Sequence, residues 1–385
     1  MSTRRTFVKQ LAAGSLASLA APAVHSFAQA ANSDDKLPVL GVGEHQYQCN
    51  HNWAQLPAEF SWQTTHNAAI DSAGLIYVIH EGHLDKPDHP AIFVFDADGK
   101  YVRSFGSQFQ GGGHGLEVHR EGSDEFLYVT AYQQKRSFAK LTLTGETIWH
   151  KYAPMETGIY AEGEDNPARR ANDNPWGRNR FMPTNFAFHP DGGFYLADGY
   201  GGYCIHRYDA EGNWQSKFGK PSDDSDADGT FDTPHGVWID NRQAERLDAD
   251  GVAPEPLVVV ADRANGRLQW FTLAGEHRRT QPGFLLPANC DTRGNILLVP
   301  DLFGRVTLLD GANEVIAHLG DDSERILADK PDGKVKTNWT IRGDESQWIP
   351  GKFVHPHDAC FDADGNIYVI EWVQRGRVTK LTKLV

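Results

Sequence analysis

The feature that most constrains this chain is a unit of short strands and Asp/Gly turns that recurs six times from residue 66 onward. The units open as HNAAIDSAGLIYVIHEG at His66, HGLEVHREGSDEFLYVTAY at His114, TNFAFHPDGGFYLADGYGG at Thr184, HGVWID at His235, LPANCDTRGNILLVPDLFGR at Leu286 and HDACFDADGNIYVIEWVQRGR at His357. Each continues into a third strand (IFVFD, AKLTL, IHRYD, LQWFT, VTLLD, VTKLT), and most add a fourth, as in GKYVRSFG and GNWQSKFG. Four short strands per unit with Gly and Asp at the turns point to an all-β fold, a six-bladed β-propeller. Two separate β-sandwiches would leave the sixfold recurrence unexplained. The last unit stops after its third strand at Val385. Its fourth strand must come from the other end, and LGVGEHQYQ (residues 40–48) is the donor. Such closure removes a sheet edge that would otherwise pair with other chains. Four polar loops, near 152–182, 220–233, 241–256 and 321–353, are expected to cover the faces rather than form a second domain.

Composition narrows the function classes. With 38 Gly and 20 Pro in 385 residues the chain is turn-rich, and its formal net charge of −14 excludes a phosphate-binding groove. Nucleic acid is therefore not an expected partner, and anionic membrane surfaces are disfavoured for the same reason. The N-terminus, MSTRRTFVKQLAAGSLASLAAPAVHSFAQA, pairs Arg4 and Arg5 with a modest apolar stretch and an Ala28-Gln29-Ala30 cleavage site. It reads as a twin-arginine signal over residues 1–30, with one propeller domain over 31–385 in the periplasm or secreted. The apolar run is too short and too rich in Ala, Gly and Ser for membrane insertion. Four cysteines (Cys49, Cys204, Cys290, Cys360) show no CxxC spacing, which argues against a thiolate zinc site and leaves their pairing open. SDDSDADG (222–229) starts like an EF-hand loop, but His235 stands where the twelfth-position glutamate belongs, so a solvated loop is expected.

Three histidines stand at matching places. His114, His235 and His357 are separated by 121 and 122 residues (235 − 114 and 357 − 235). In a propeller the first strand of each unit lines the central channel, and the residue before it sits at one mouth. That ring reads His66, His114, Thr184, His235, Leu286, His357. The second, fourth and sixth units are alternate blades, so their imidazoles converge on the axis. Three nitrogen ligands with an open fourth position are what a catalytic zinc requires, and they suit other divalent transition ions as well. The competing reading is three channel histidines bonded to backbone or water.

The stretch from Phe181 to Phe271 resembles peptidyl-α-hydroxyglycine α-amidating lyase, a family of six-bladed propellers of NHL-type repeats. The matching runs are FMPTNFAFHPDGGFYLADGYGGY, FDTPHGVWID, VVVADRANGRLQWF and, later, HPHDACFDADGNIYV. The resemblance extends over about residues 40–385. ADRxNGR is widespread among NHL propellers, whereas DGY with three spaced histidine motifs is more specific. The resemblance implies a zinc held by His114, His235 and His357. It implies a catalytic Tyr200, whose phenolate takes the proton of the substrate hydroxyl, and an Arg263 that forks a carboxylate. It also implies a channel calcium bound through Asp358, with backbone oxygens of Ala68 and Leu116. A hydrogen-bonded turn tyrosine, an inter-blade salt bridge and a turn cap are the respective rivals for Tyr200, Arg263 and Asp358. Three departures stand out. Glu81 occupies the place of a family arginine, His355 that of a methionine, and Gly201 that of a disulfide cysteine. His66, Glu81, His83 and His355 make the channel richer in ligands and bases, with His66 a candidate additional ligand and Glu81 a candidate alternative base. The expected activity is metal-dependent cleavage of a C–N bond in an α-hydroxy amide, on a small-molecule or peptide-derived substrate. The alternatives are a lactone or ester hydrolase and a non-catalytic propeller that binds a ligand or protein.

Overall fold

Leu257–Asp262 reads LVVVAD and is buried at every position but the first, which is half-buried. A strand apolar on both faces needs cover on both sides, and a propeller supplies it by packing blades face to face. Val258 and Val260 join the core shared with the third blade, while Val259 and Ala261 join the core shared with the fifth. Successive side chains point to opposite faces, so one strand serves two cores. The same alternation holds in Ile76–His80, where Tyr77 and Ile79 face one neighbour and Ile76 and Val78 the other.

The computed structural model describes residues 36–170, 174–243, 254–329 and 340–384. Residues 1–30, read from the sequence as a twin-arginine signal, lie outside them. Six antiparallel sheets form the ring, each with consecutive strands side by side. Blade one is Thr65–Ile70, Ile76–His80, Ile92–Phe95 and Tyr101–Phe105; blade two is Gly113–Glu121, Asp124–Ala131, Ser137–Thr142 and Thr147–Lys151. Blade three is Phe186–Phe188, Phe194–Asp198, Cys204–Tyr208 and Trp214–Phe218; blade four is Pro234–Asp240, Leu257–Asp262, Arg267–Phe271 and His277–Pro282. Blade five is Asp291–Arg293, Ile296–Asp301, Arg305–Leu309 and Val315–Leu319. Blade six holds Pro356–Phe361, Ile367–Glu371 and Arg377–Lys383 and takes the rest of its sheet from the N-terminal side.

The donor is a hairpin rather than the single strand expected over 40–48. His45–Asn50 pairs with Arg377–Lys383 in the register Tyr47 to Lys383 and Cys49 to Leu381. Val39–Val42 then folds back on it as a fifth strand. The turn needs its glycines: Gly43 has φ 55, and a Cβ on Gly41 would lie 1.9 Å from the His45 carbonyl oxygen. Across the seam, Thr65 Oγ1 donates to the Glu371 carbonyl at 2.7 Å, tying blade one to blade six.

The segment around 321–353 carries the short helices Ser323–Ala328 and Thr340–Gly343, and Ile326, Ile341 and Val354 pack with Leu302, Phe303 and Val373 in a small apolar cluster. Asp224, Asp226 and Asp228 are exposed, as a solvated loop requires. All four cysteines are free thiols. Among the described residues no helix is long and apolar enough to cross a membrane.

Candidate metal centre

The innermost strands bring the three spaced histidines together. Ring centroids are 4.8 Å apart for His114 and His235, 4.6 Å for His235 and His357, and 5.0 Å for His114 and His357. Each is fixed by the blade that follows it. His114 Nδ1 donates to the Thr184 carbonyl at 3.0 Å, His235 Nδ1 to Ala288 at 2.6 Å and His357 Nδ1 to His66 at 2.7 Å. These bonds correct the ring drawn from the sequence. Ala288, not Leu286, holds the fifth place, because it presents the carbonyl that Thr184 and His66 present in their blades. Blade five enters its channel strand two residues later than the alignment on turns implies.

The carbonyl partners also settle the protons. A carbonyl only accepts, so each Nδ1 carries the hydrogen and each Nε2 is left as a lone pair. His114 Nε2 and His235 Nε2 lie 3.1 Å apart, two lone pairs facing each other. Only a proton or a cation makes that contact favourable. Burial, and then the Arg263 cation, push His114 down to about 3. Burial and the neighbouring cations and imidazoles hold His235 and His357 well below the usual histidine range. The three imidazoles are thus held neutral, with lone pairs that could receive a cation. Neutral imidazoles with Nδ1 tied to carbonyls are the donor set a divalent transition ion takes, so these residues fit the ion that the lyase resemblance implies. His66 joins them, with its ring 4.8 Å from His114 and 4.7 Å from His357. His355 does not: its Nδ1 donates to the Leu302 carbonyl at 2.7 Å and its ring meets Trp372. His83 is exposed.

Tyr200 overhangs this cluster. Its hydroxyl is 2.9 Å from His235 Nε2 and 3.4 Å from His114 Nε2, and Arg263 donates to it at 3.1 Å. The guanidinium carbon lies 5.0 Å from the tyrosine ring centre. Burial raises the phenol above its ordinary value, Arg263 opposes that, and Glu81 adds to it. Arg263 therefore serves Tyr200 and does not pair with Glu81. The Glu81 carboxylate accepts from Gln133 Nε2 at 2.7 Å, and burial raises it while Gln133, Tyr132 and the cation of Arg342 oppose. Tyr132 stands between Glu81 and the cluster, its ring 4.9 Å from His114 and 5.4 Å from Tyr200.

The loop bearing Tyr200 is wrapped around Asp198. The carboxylate accepts amides from Met182 (2.8 Å), Gly201 (3.1 Å) and Gly202 (2.6 Å). In blades four to six the matching acid is paired with an arginine: Asp262 with Arg267, Asp301 with Arg305, Glu371 with Arg377. In blade three Cys204 stands opposite Asp198 instead. Tyr160 donates to Asp198 at 2.7 Å and lies 2.6 Å from His206 Nε2, while Trp214 donates to His206 Nδ1 at 3.2 Å. Since His206 Nδ1 accepts, its Nε2 carries the hydrogen and donates to Tyr160. Asp198, Cys204 and His206 are near enough to share an ion, but this chain of hydrogen bonds already occupies the imidazole. Gly201 cannot be a cysteine here, because a Cβ would lie 1.9 Å from the Arg180 carbonyl oxygen.

One step further along the innermost segments of blades one, three, five and six stand the oxygen-bearing side chains Asn67, Asn185, Asn289 and Asp358. Asp358 Oδ2 accepts the Ala68 amide at 2.9 Å and Oδ1 accepts Asn289 Nδ2 at 2.6 Å. The Ala68 amide thus ties the first blade to this carboxylate. Burial raises Asp358 to about 6 and Asp291 to about 7, and it holds Glu117 well above the usual range with help from both. The Oδ1 atoms of Asn67, Asn185 and Asn289 are buried without a partner. A cavity of about 140 Å³ opens beside Asp358, Glu117, Asp291 and Asn289.

Tyr132, Arg342, Tyr160 and His206 escaped the sequence reading. The first three come from turns and long loops, where the repeat offers no register. His206 sits in IHRYD, where alternation alone could have marked it as inward-facing.

No protein-family model and no curated protein matches the chain. Solved structures do. A gluconolactonase from Xanthomonas campestris aligns at 12% identity over 90% of this chain and 95% of its own, with a TM-score of 0.52. A Bacteroides thetaiotaomicron protein of unknown function aligns at 10% over 84% and 70%, also at 0.52. A virginiamycin B lyase from Staphylococcus aureus aligns at 12% over 88% and 100%, at 0.48. At such identities the likeness concerns the fold alone, and the chain takes its place among the six-bladed β-propellers.

Proposed function

We propose that the protein is a metal-dependent lyase that cleaves the C–N bond of an α-hydroxy amide. The observation that carries this reading is Tyr200, whose hydroxyl sits between Arg263 and the Nε2 atoms of His235 and His114. His114, His235 and His357 would hold a divalent transition ion such as zinc, which would supply Lewis acidity toward a substrate oxygen. Tyr200, as phenolate, takes the hydroxyl proton of the substrate. The electron pair left on that oxygen forms the carbonyl, the C–N bond breaks with its pair going to nitrogen, and the departing nitrogen takes up a proton that the Tyr200 phenol can return. One N-acyl-α-hydroxyglycine thus gives one primary amide and one glyoxylate. Arg263 supports the phenolate by charge. Asp358 with the asparagine oxygens of its layer would hold a calcium, a hard cation that prefers such donors. The leader read at residues 1–30 would place the reaction in the periplasm.

A hydrolase of lactone type is the second reading, favoured by Glu81, whose raised carboxyl is within reach of Tyr132. In it Glu81 would take a proton from water through that phenol. The two readings part on a pair of variants assayed with an N-acyl-α-hydroxyglycine and a lactone panel, metal content being checked in each. Tyr200→Phe is expected to slow glyoxylate release by about 100-fold or more, the scale of general acid–base catalysis, and Glu81→Gln much less. Lactone turnover lost in Glu81→Gln alone would overturn the lyase reading.

A further inference from the structure

The cluster contains one imidazole more than the three-histidine reading uses. His66 lies as close to His114 and His357 (4.8 and 4.7 Å between ring centroids) as His235 does (4.8 and 4.6 Å). The four rings form two triangles that share the edge between His114 and His357. The potential ligand atoms of His66, His114 and His357 all lie within 4.8 Å of one another. His66 is 1% exposed, and its Nδ1 has no partner at hydrogen-bond geometry, only a weaker approach of the ring to the Thr64 carbonyl. In the other three that nitrogen is bonded to a carbonyl. A buried nitrogen left unbonded beside three inward-facing lone pairs is the mark of a missing shared partner.

We propose that His66 is a fourth ligand of the same ion, so that the centre is a four-imidazole one. This rests on the reading that His114, His235 and His357 hold a metal. Four protein nitrogens close a tetrahedral ion to substrate. An ion that also binds substrate here would have to accept five or six ligands, and Tyr200, beside His235 and His114, would be the acid–base group next to it. Two exchangeable positions suit a chelating substrate, one that presents a hydroxyl and an adjacent carbonyl or carboxylate oxygen. Metals that accept octahedral geometry fit better than zinc in its usual tetrahedral form.

Cobalt(II) reads the coordination number without any assay of activity. The mature, metal-free protein is titrated with Co²⁺ and its visible d–d bands are recorded. The wild type is expected to show the weak bands of a five- or six-coordinate ion. His66→Ala is expected to bind Co²⁺ about tenfold or more less tightly and to show the intense bands of a tetrahedral site. His66→Gln, which keeps the volume, guards against a packing defect and should behave as His66→Ala does. Intense tetrahedral bands in the wild type, or unchanged spectra and affinity in both variants, overturn the proposal. If the wild type takes up no Co²⁺, or His114→Ala binds it unchanged, the three-histidine reading fails first and the fourth ligand with it.

Discussion

Single residues in the channel show how burial without a partner charge makes a titratable group. Asp291 accepts amides from Thr292 and Phe361, but burial and nearby Asp358 still raise it to about 7. A carboxyl raised in the folded state binds a proton that the unfolded chain releases, so it weakens the fold as pH climbs from the unfolded value of about 4 through 7. Asp291→Asn removes that charge and also one acceptor, worth about 1 kcal/mol. The variant should therefore melt below the wild type at pH 4, and the gap should close or reverse by pH 8. Thermal melts in chelator across that range test the sign; a gap that stays constant with pH would count against the raised carboxyl. The histidines at 114, 235 and 357 were legible because the repeat returns them to one place. Ala288 was missed because Pro287 and the short Asp291–Arg293 strand shift the entry of blade five. Arg342 was not legible at all: it reaches the site from a long loop, donating to the Trp372 carbonyl and Thr64 Oγ1.

At the level of elements, the N-terminal hairpin separates what is needed from what is added. Tyr47 and Cys49, on His45–Asn50, are 2% and 1% exposed and pack with Leu308, Leu319, Val369 and Leu381. Each such buried side chain stabilises by on the order of 2 kcal/mol, and the strand also completes the backbone pairing of Arg377–Lys383. Val39–Val42 is the outermost strand, and both terminal valines are 55% exposed. Trimming the chain to begin at residue 44 should lower the melting temperature by only a few degrees. Trimming to residue 51 should abolish the cooperative transition. Equal losses in the two would mean that the outer strand, not the inner one, closes the blade. The donor segment was visible in the sequence as a missing fourth strand, but its hairpin form was hidden, since nothing in the repeat calls for a fifth.

For the molecule as a whole the blades were the readable part, because period-two alternation and turns depend on neighbours in sequence, while the loops that finish the site answer only to their tertiary surroundings. One consequence lies in the seam. Tyr47 and Lys383 face each other, so their pairing closes a loop of 336 residues (383 − 47), at an entropic cost of about 5 kcal/mol that nothing local offsets beforehand. Strand pairing over such a separation is slow. A circular permutant that joins Leu384 to His45 through a turn of about three residues, with new ends in the exposed loop at 223–226, makes that pairing a hairpin. Its slowest refolding phase should accelerate; an unchanged phase would place the barrier elsewhere. In the natural order the strand at 45–50 is made first and waits for a partner made last. A nascent chain can stack five blades before the sixth is made, and the circle shuts only when Arg377–Lys383 meets the strand at 45–50, in the blade that also carries His357. Ring closure thus acts as a completion signal, coupling assembly of the centre to the presence of the entire propeller.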